Sequence, residues 1–144
     1  MHKAQKISIV LLRVALGWLF LYAGVTKILD PAWSAAGYLA NAQTFPSLFA
    51  WFALPQNIGW VNLVNEWGLT LVGAVLILGI FVRWASVVGI VFMALYYLPV
   101  LSFPYAGEHS YIIDEHIIYI LALIVLIVFH AGRYWGLDGR IGRR

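Results

Sequence analysis

Lys27, Glu66, Tyr97, Glu115 and His116, with the amide of Asn62 beside them, are the residues of this sequence whose types and spacing could hold a proton-handling site. Placed on helices at roughly 100° per residue, they fall on shared faces. Arg13, Gly17, Phe20, Gly24 and Lys27 form one stripe, and Asn62, Glu66, Thr70, Gly73 and Ile77 a second. Ser86, Ile90, Met93, Tyr97 and Val100 form a third. Glu115, Tyr119, Ala122 and His130 align on a fourth, with His116 at its edge and Asp114 pointing elsewhere. The polar members gather at one membrane boundary, which brings a cation, two carboxylates, an imidazole and a phenol together. One reading is that Lys27 pairs with Glu66 or Glu115 to lower the cost of burial. The other is a proton-handling site in which Glu66, Glu115 or His116 exchanges protons with a ligand. One lysine cannot neutralise two carboxylates, so a shifted or shared proton is expected.

Two further groups stand apart. Arg13 lies about six residues, roughly 9 Å, inside the opposite end of its helix, and no carboxylate shares its depth. Asp138 is the acidic residue on that side, so an Arg13–Asp138 ion pair tying the C-terminal segment under the helices is expected; an arginine reaching lipid phosphate is the competing reading. His116 and His130 lie 14 residues apart on one expected helix, a spacing that suits axial haem ligands. No other span carries a histidine, and only a homodimer pairing its fourth spans would supply facing ones. A b-type haem is therefore disfavoured, and the pattern marks no metal centre.

The elements that position these groups are membrane spans. The chain has 144 residues, 63% of them hydrophobic and 10% charged, with a mean hydropathy of +0.88. Nine basic and six acidic side chains cannot cover a water-soluble globule of this size, which excludes soluble enzymes, nucleic-acid binders and disordered chains. Four apolar runs long enough to cross a bilayer are predicted, at about 7–29, 61–82, 84–103 and 112–130. Their continuity favours helices over a barrel, so the fold class is all-α: a single membrane-embedded four-helix domain over residues 1–144. Short links make the second and third, and the third and fourth, spans antiparallel neighbours.

Lys3, Lys6, Arg83, Arg133, Arg140, Arg143 and Arg144 mark one side as basic. The positive-inside rule then predicts a multi-pass protein of the cytoplasmic membrane with both termini cytoplasmic. The first run is too long, and too charged at Arg13 and Lys27, for a cleaved signal. Between the first two spans runs an almost uncharged link from Asp30 to Trp60, rich in aromatics. Asp30 before Pro31 predicts a short helix to about Asn41, and a second is expected near Ser47–Ala53. The link either lies in the interface or folds over the helix mouth as a lid. With no cysteine, thiol–disulfide chemistry, Fe–S ligation and c-type haem attachment are excluded.

In order and spacing these residues resemble the DoxX/DoxD family of small four-span membrane proteins. The resemblance rests on Arg13 with Gly17, Ala23–Gly24, Lys27 with Asp30–Pro31, and Glu66 with Gly73 and Gly79. Phe81–Val82–Arg83 and the run from Ala131 to Asp138 complete it. The ending, with Asp114–Glu115–His116, looks most like the DoxD branch. That branch implies a thiosulfate:quinone oxidoreductase, with quinone as substrate and a second, DoxA-type subunit as partner. On that reading Glu66, Glu115 and His116 transfer protons. Lys27 polarises an anion or a quinone carbonyl, and Asn62, Tyr97, Trp60 and Tyr119 contribute to the binding pocket. The rival readings are a non-catalytic anchoring or assembly subunit, and a small transporter or lipid-handling protein; the lack of an inverted repeat disfavours transport.

Overall fold

A long apolar helix does not stop freely in lipid, and several helix ends here coincide with a capping side chain, a proline or a glycine. The computed structural model describes residues 1–141; Arg143 and Arg144, counted above among the basic ends, lie outside them. Helix α1 spans Lys3–Leu29, and the link folds into α2, Ala36–Ala40, and α3, Pro46–Phe52. Helix α4 spans Pro55–Leu78 and α5 Val82–Val100, followed by a two-residue-stranded hairpin, β1 Leu101–Ser102 and β2 Tyr105–Ala106. Helix α6 covers Glu115–Val128, a 3₁₀ turn Ala131–Arg133, and α7 Asp138–Ile141.

Among the described residues three helices, α1, α4 and α5, are long and apolar enough to cross a membrane. The fourth expected span is shortened at both ends. Asp114 caps α6 by accepting from the backbone N–H of His116 at 2.9 Å and of Ile117 at 3.2 Å. The chain leaves the helix beyond Phe129, with His130 in the left-handed region at φ 50°. Fourteen residues remain, roughly 21 Å of helix against a hydrocarbon core of about 30 Å. His130 thus stands outside α6, exposed, with its Nδ1 3.1 Å from the carbonyl of Val128, so the two histidines do not share one helix.

Other boundaries move for similar reasons. Helix α4 begins six residues earlier than expected, at Pro55, where a missing N–H costs nothing in the first turn. It ends at Leu78, capped by Gly79 at φ 67°, rather than at about Val82. Asp30 does not start a helix: it closes α1, and its carboxylate accepts from Ala32 N–H at 3.0 Å in a local turn.

Helices α1, α4, α5 and α6 share one apolar core that includes Phe20, Leu76, Phe92 and Leu123. The α1–α4 contact is the closest, because glycines face each other across it. A Cβ on Gly17 would stand 2.8 Å from the Ile77 side chain, and one on Gly73 would collide with the backbone of Leu21. Small residues let two backbones approach in a setting where lipid offers no hydrophobic drive for association. Outside the core the helices expose large apolar side chains such as Leu11, Trp18, Trp67, Leu71, Val91 and Leu121. In water that would be costly; against acyl chains it is expected.

The expected Arg13–Asp138 pair is replaced by another arrangement. Arg13 is 2% exposed, and its Nη1 donates to the carbonyls of Ala131 at 2.8 Å and Tyr134 at 3.0 Å. The carboxylate of Asp138 instead accepts from the N–H groups of Phe81 at 2.8 Å and Val82 at 3.1 Å, capping α5. The tie between the C-terminal segment and the helices exists, but backbone groups make it. A carboxylate that serves two N–H donors, and a guanidinium that serves two carbonyls, satisfy more buried polar groups than one direct pair would. The Nε of Arg13 and the Oγ of Ser86 stay without partners.

Candidate functional site

At the end of the molecule opposite the termini, the link docks onto α4 and α5. Gln43 N–H donates to the carbonyl of Pro99 at 2.8 Å and the Thr44 hydroxyl to that of Leu101 at 2.6 Å. Asn62 holds the link from below, accepting from Ala35 N–H at 3.0 Å and donating to Ser34 Oγ at 3.2 Å. Phe49 of α3 is 1% exposed. The aromatic link is therefore packed over this end of the helices.

Beneath it lie two adjoining spaces. A cleft of 440 Å³ is walled by Lys27, Trp33, Ser34, Glu115 and His116. An apolar pocket of 110 Å³ is walled by Phe49, Phe52, Trp60, Val64, Phe92 and Leu95. Ala35, Tyr38, Asn65 and Tyr96 border both, so the partition between polar and apolar compartments is two phenols and an amide. These side chains are tied to one another. The Tyr96 hydroxyl donates to Asn65 Oδ1, and the Tyr38 hydroxyl to the backbone carbonyl of Tyr96. The Tyr96 ring meets the His116 ring edge-on, centroids 6.1 Å apart.

His116 is oriented from the other side. Its Nδ1 lies 2.6 Å from Asp114 Oδ2, with both side chains largely buried. Asp114 thus works twice, capping α6 with one oxygen and fixing the imidazole with the other. Lys27 is held by the carbonyl of Ala23 at 3.1 Å and stands 5.3 Å over the Trp33 ring. Among the described residues, Asp114–His116 is the one contact between a carboxylate and a basic side chain. Lys27 pairs with neither Glu66 nor Glu115.

The expected residues divide. Lys27, Glu115 and His116 share the cleft, and Trp60 lines the apolar pocket. Asn62 anchors the link instead. Tyr97 donates to the carbonyl of Ile112, Tyr119 packs against the core, and Glu66 sits on the α1 side of α4, its carbonyl beside Gly24. Tyr96 and Asn65 stand where Tyr97 and Glu66 were expected. The expected stripes are interior at Ser86 and Met93 of α5 and at Gly73 of α4, but the buried face also takes in Val82, Ala85, Gly89 and Phe92, a register that continues to Tyr96, and Val61, Leu69, Val72 and Leu76, a register that includes Asn65. Following the charged stripe selected positions one residue, about 100°, away. A span begun at 112 runs past Asp114 and turns its side chain elsewhere, whereas an Asp directly before an apolar run is the signal for the cap it forms.

Tyr38, in α2 outside the long helices, has its phenol pushed up to about 12, first by burial and then by the nearby carboxylates of Asp114 and Glu115. It stays a neutral donor at any physiological pH. The arrangement offers a fixed imidazole, an exposed carboxylate at Glu115, an unpaired ammonium and neutral phenols, beside an aromatic cavity. Among the described residues no three histidine, aspartate or glutamate side chains converge as a metal centre needs. No curated relative and no solved structure matches the sequence. A family model does, over residues 8–101, which carry most of α1, the link, α4 and α5 and hence Lys27, Asn65 and Tyr96; the chain belongs to the DoxX family.

Proposed function

We propose that this DoxX-family membrane protein is a quinone-reactive subunit of a thiosulfate:quinone oxidoreductase-like complex of the DoxD kind. Two thiosulfates give up two electrons and become tetrathionate, and the quinone takes those electrons with two protons to become quinol. The observation that carries this reading is the meeting of a polar cleft and an aromatic pocket across Tyr38, Asn65 and Tyr96. A quinone needs both: an apolar slot for the ring and its tail, and protonatable groups at the carbonyl oxygens.

In this reading Lys27, without a carboxylate partner, polarises a quinone carbonyl or attracts the sulfur anion. His116, set by Asp114, and Glu115 deliver protons, with Glu66 as a second carboxylate reached past Lys27. Trp60 walls the ring slot, whereas Asn62, Tyr97 and Tyr119 support it by holding the link, the turn before α6 and the core. Electrons pass directly between substrates or through a DoxA-type partner.

Helix α6 is proposed as a fourth, short crossing. It starts beside Tyr96 and returns the chain to Arg13, so both termini meet at one end. The positive-inside rule makes that end cytoplasmic.

Thiosulfate-dependent reduction of a soluble quinone analogue tests the reading, using purified protein alone and with candidate partner subunits. Wild type is expected to be active in at least one combination. His116→Asn and Glu115→Gln should lower kcat by about 10²-fold or more, and Glu66→Gln by less. Inactivity of every combination, with assembly intact, would leave the anchoring role in its place.

A further inference from the structure

The terminal end carries a cleft of its own, of 370 Å³, lined by Leu78, Arg133, Trp135, Gly136 and Arg140 among others. It lies at the far end of the helices from the proposed quinone site and shares no residue with it. Its walls are set from behind by the buried Arg13, whose bonds to the carbonyls of Ala131 and Tyr134 hold the chain on either side of Arg133. The next turn is pressed against the end of α4: Leu137 N–H donates to the Leu78 carbonyl at 3.3 Å and Asp138 N–H to that of Gly79 at 2.9 Å. Trp135 is held there at φ 49°, a conformation a bulky residue seldom adopts.

Charge and shape then point the same way. Asp138 has both oxygens engaged by Phe81 and Val82, and among the described residues neither Arg133 nor Arg140 meets a carboxylate. Two guanidiniums on one cleft repel unless an anion joins them, and their forked donors suit phosphate oxygens. Beside them, Trp135 is 72% and Leu78 56% exposed, where the long apolar helix α4 ends. A free phosphate would leave this apolar surface bare, whereas a phospholipid covers it with glycerol and acyl carbons.

We propose that this cleft binds the headgroup of an anionic phospholipid, with Arg133 and Arg140 on the phosphate and Trp135 and Leu78 against the upper acyl chain. Basic pockets at the ends of membrane helices recognise such headgroups by this combination. The site ties the C-terminal segment to one leaflet and makes its docking sensitive to lipid composition.

Thermal unfolding of the detergent-purified full chain, titrated with short-chain phosphatidylglycerol, tests this. A saturable rise in midpoint is expected with phosphatidylglycerol and a much weaker one with phosphatidylcholine. The Arg133→Gln/Arg140→Gln variant should weaken the apparent affinity by about tenfold or more. The Lys3→Gln/Arg83→Gln variant, which removes equal charge from the same end, should keep most of it. Should the first variant lose its helical circular dichroism, Arg140→Gln alone, on the four-residue α7, takes its place with a smaller expected loss. The proposal is overturned if the cleft variants bind as wild type does, if the control variant loses as much, or if inorganic phosphate alone reproduces the wild-type response.

Discussion

Asp114 joins stability and chemistry in one side chain, and its two oxygens separate by mutation. Asp114→Ala removes the cap of α6 and should cost about 1 kcal/mol in thermal or denaturant unfolding. Asp114→Ser keeps a capping oxygen but loses the partner of His116, so it should restore most of that stability while leaving the proposed quinone reduction impaired. Equal activity in Asp114→Ser and wild type would show that the histidine needs no carboxylate. Tyr38 gives a second residue-scale expectation. Its phenol holds its proton to about pH 12, against 10.0 for the ordinary side chain. The folded form is therefore the better proton holder: stability is full below pH 10.0 and falls as pH rises from there through the folded value. Phenolate absorbance should show a late-titrating tyrosine that disappears in Tyr38→Phe.

Between elements, the decisive contact is glycine against glycine along α1 and α4. Gly73→Ala would set a methyl group into the backbone of Leu21 and should destabilise by about 1–3 kcal/mol. Gly37→Ala, in α2 with open space around the added carbon, should be neutral or stabilising by up to about 1 kcal/mol. Measured unfolding midpoints of the two variants should move apart; similar shifts would mean that α1 and α4 are not that close. The glycine and small-residue spacing was legible in sequence, since Gly17, Gly24 and Gly73 share stripes. Which helix each stripe faced was not. Helical periodicity supplies an angle around one helix and says nothing of the neighbour's position, so it does not separate Glu66 from Asn65, or Tyr97 from Tyr96, at the edge of a buried face. The register actually turned inward on α4 and α5 brings Asn65 and Tyr96 to the cleft.

On the scale of the whole molecule, the first and last described residues lie at one end, and the absence of cysteine makes this easy to check. Single substitutions Lys3→Cys and Arg140→Cys should react with an impermeant maleimide from the same side of a sealed vesicle, and Glu108→Cys from the other. Labelling of Lys3→Cys and Arg140→Cys from opposite sides would refute a short α6 crossing. Composition alone determined the solvent: so few charges cannot cover a globule in water, hence apolar helices, their approximate limits and the basic end. These are properties of segments, summed over many residues, and they tolerate errors of one position. The site does not tolerate them. Whether Glu66 or Asn65 faces the cleft, and whether Asp138 meets Arg13 or caps α5, depends on contacts between segments distant in sequence. Those contacts are chosen by close packing and by the need of every buried N–H and carbonyl for a partner, and only the tertiary structure decides them.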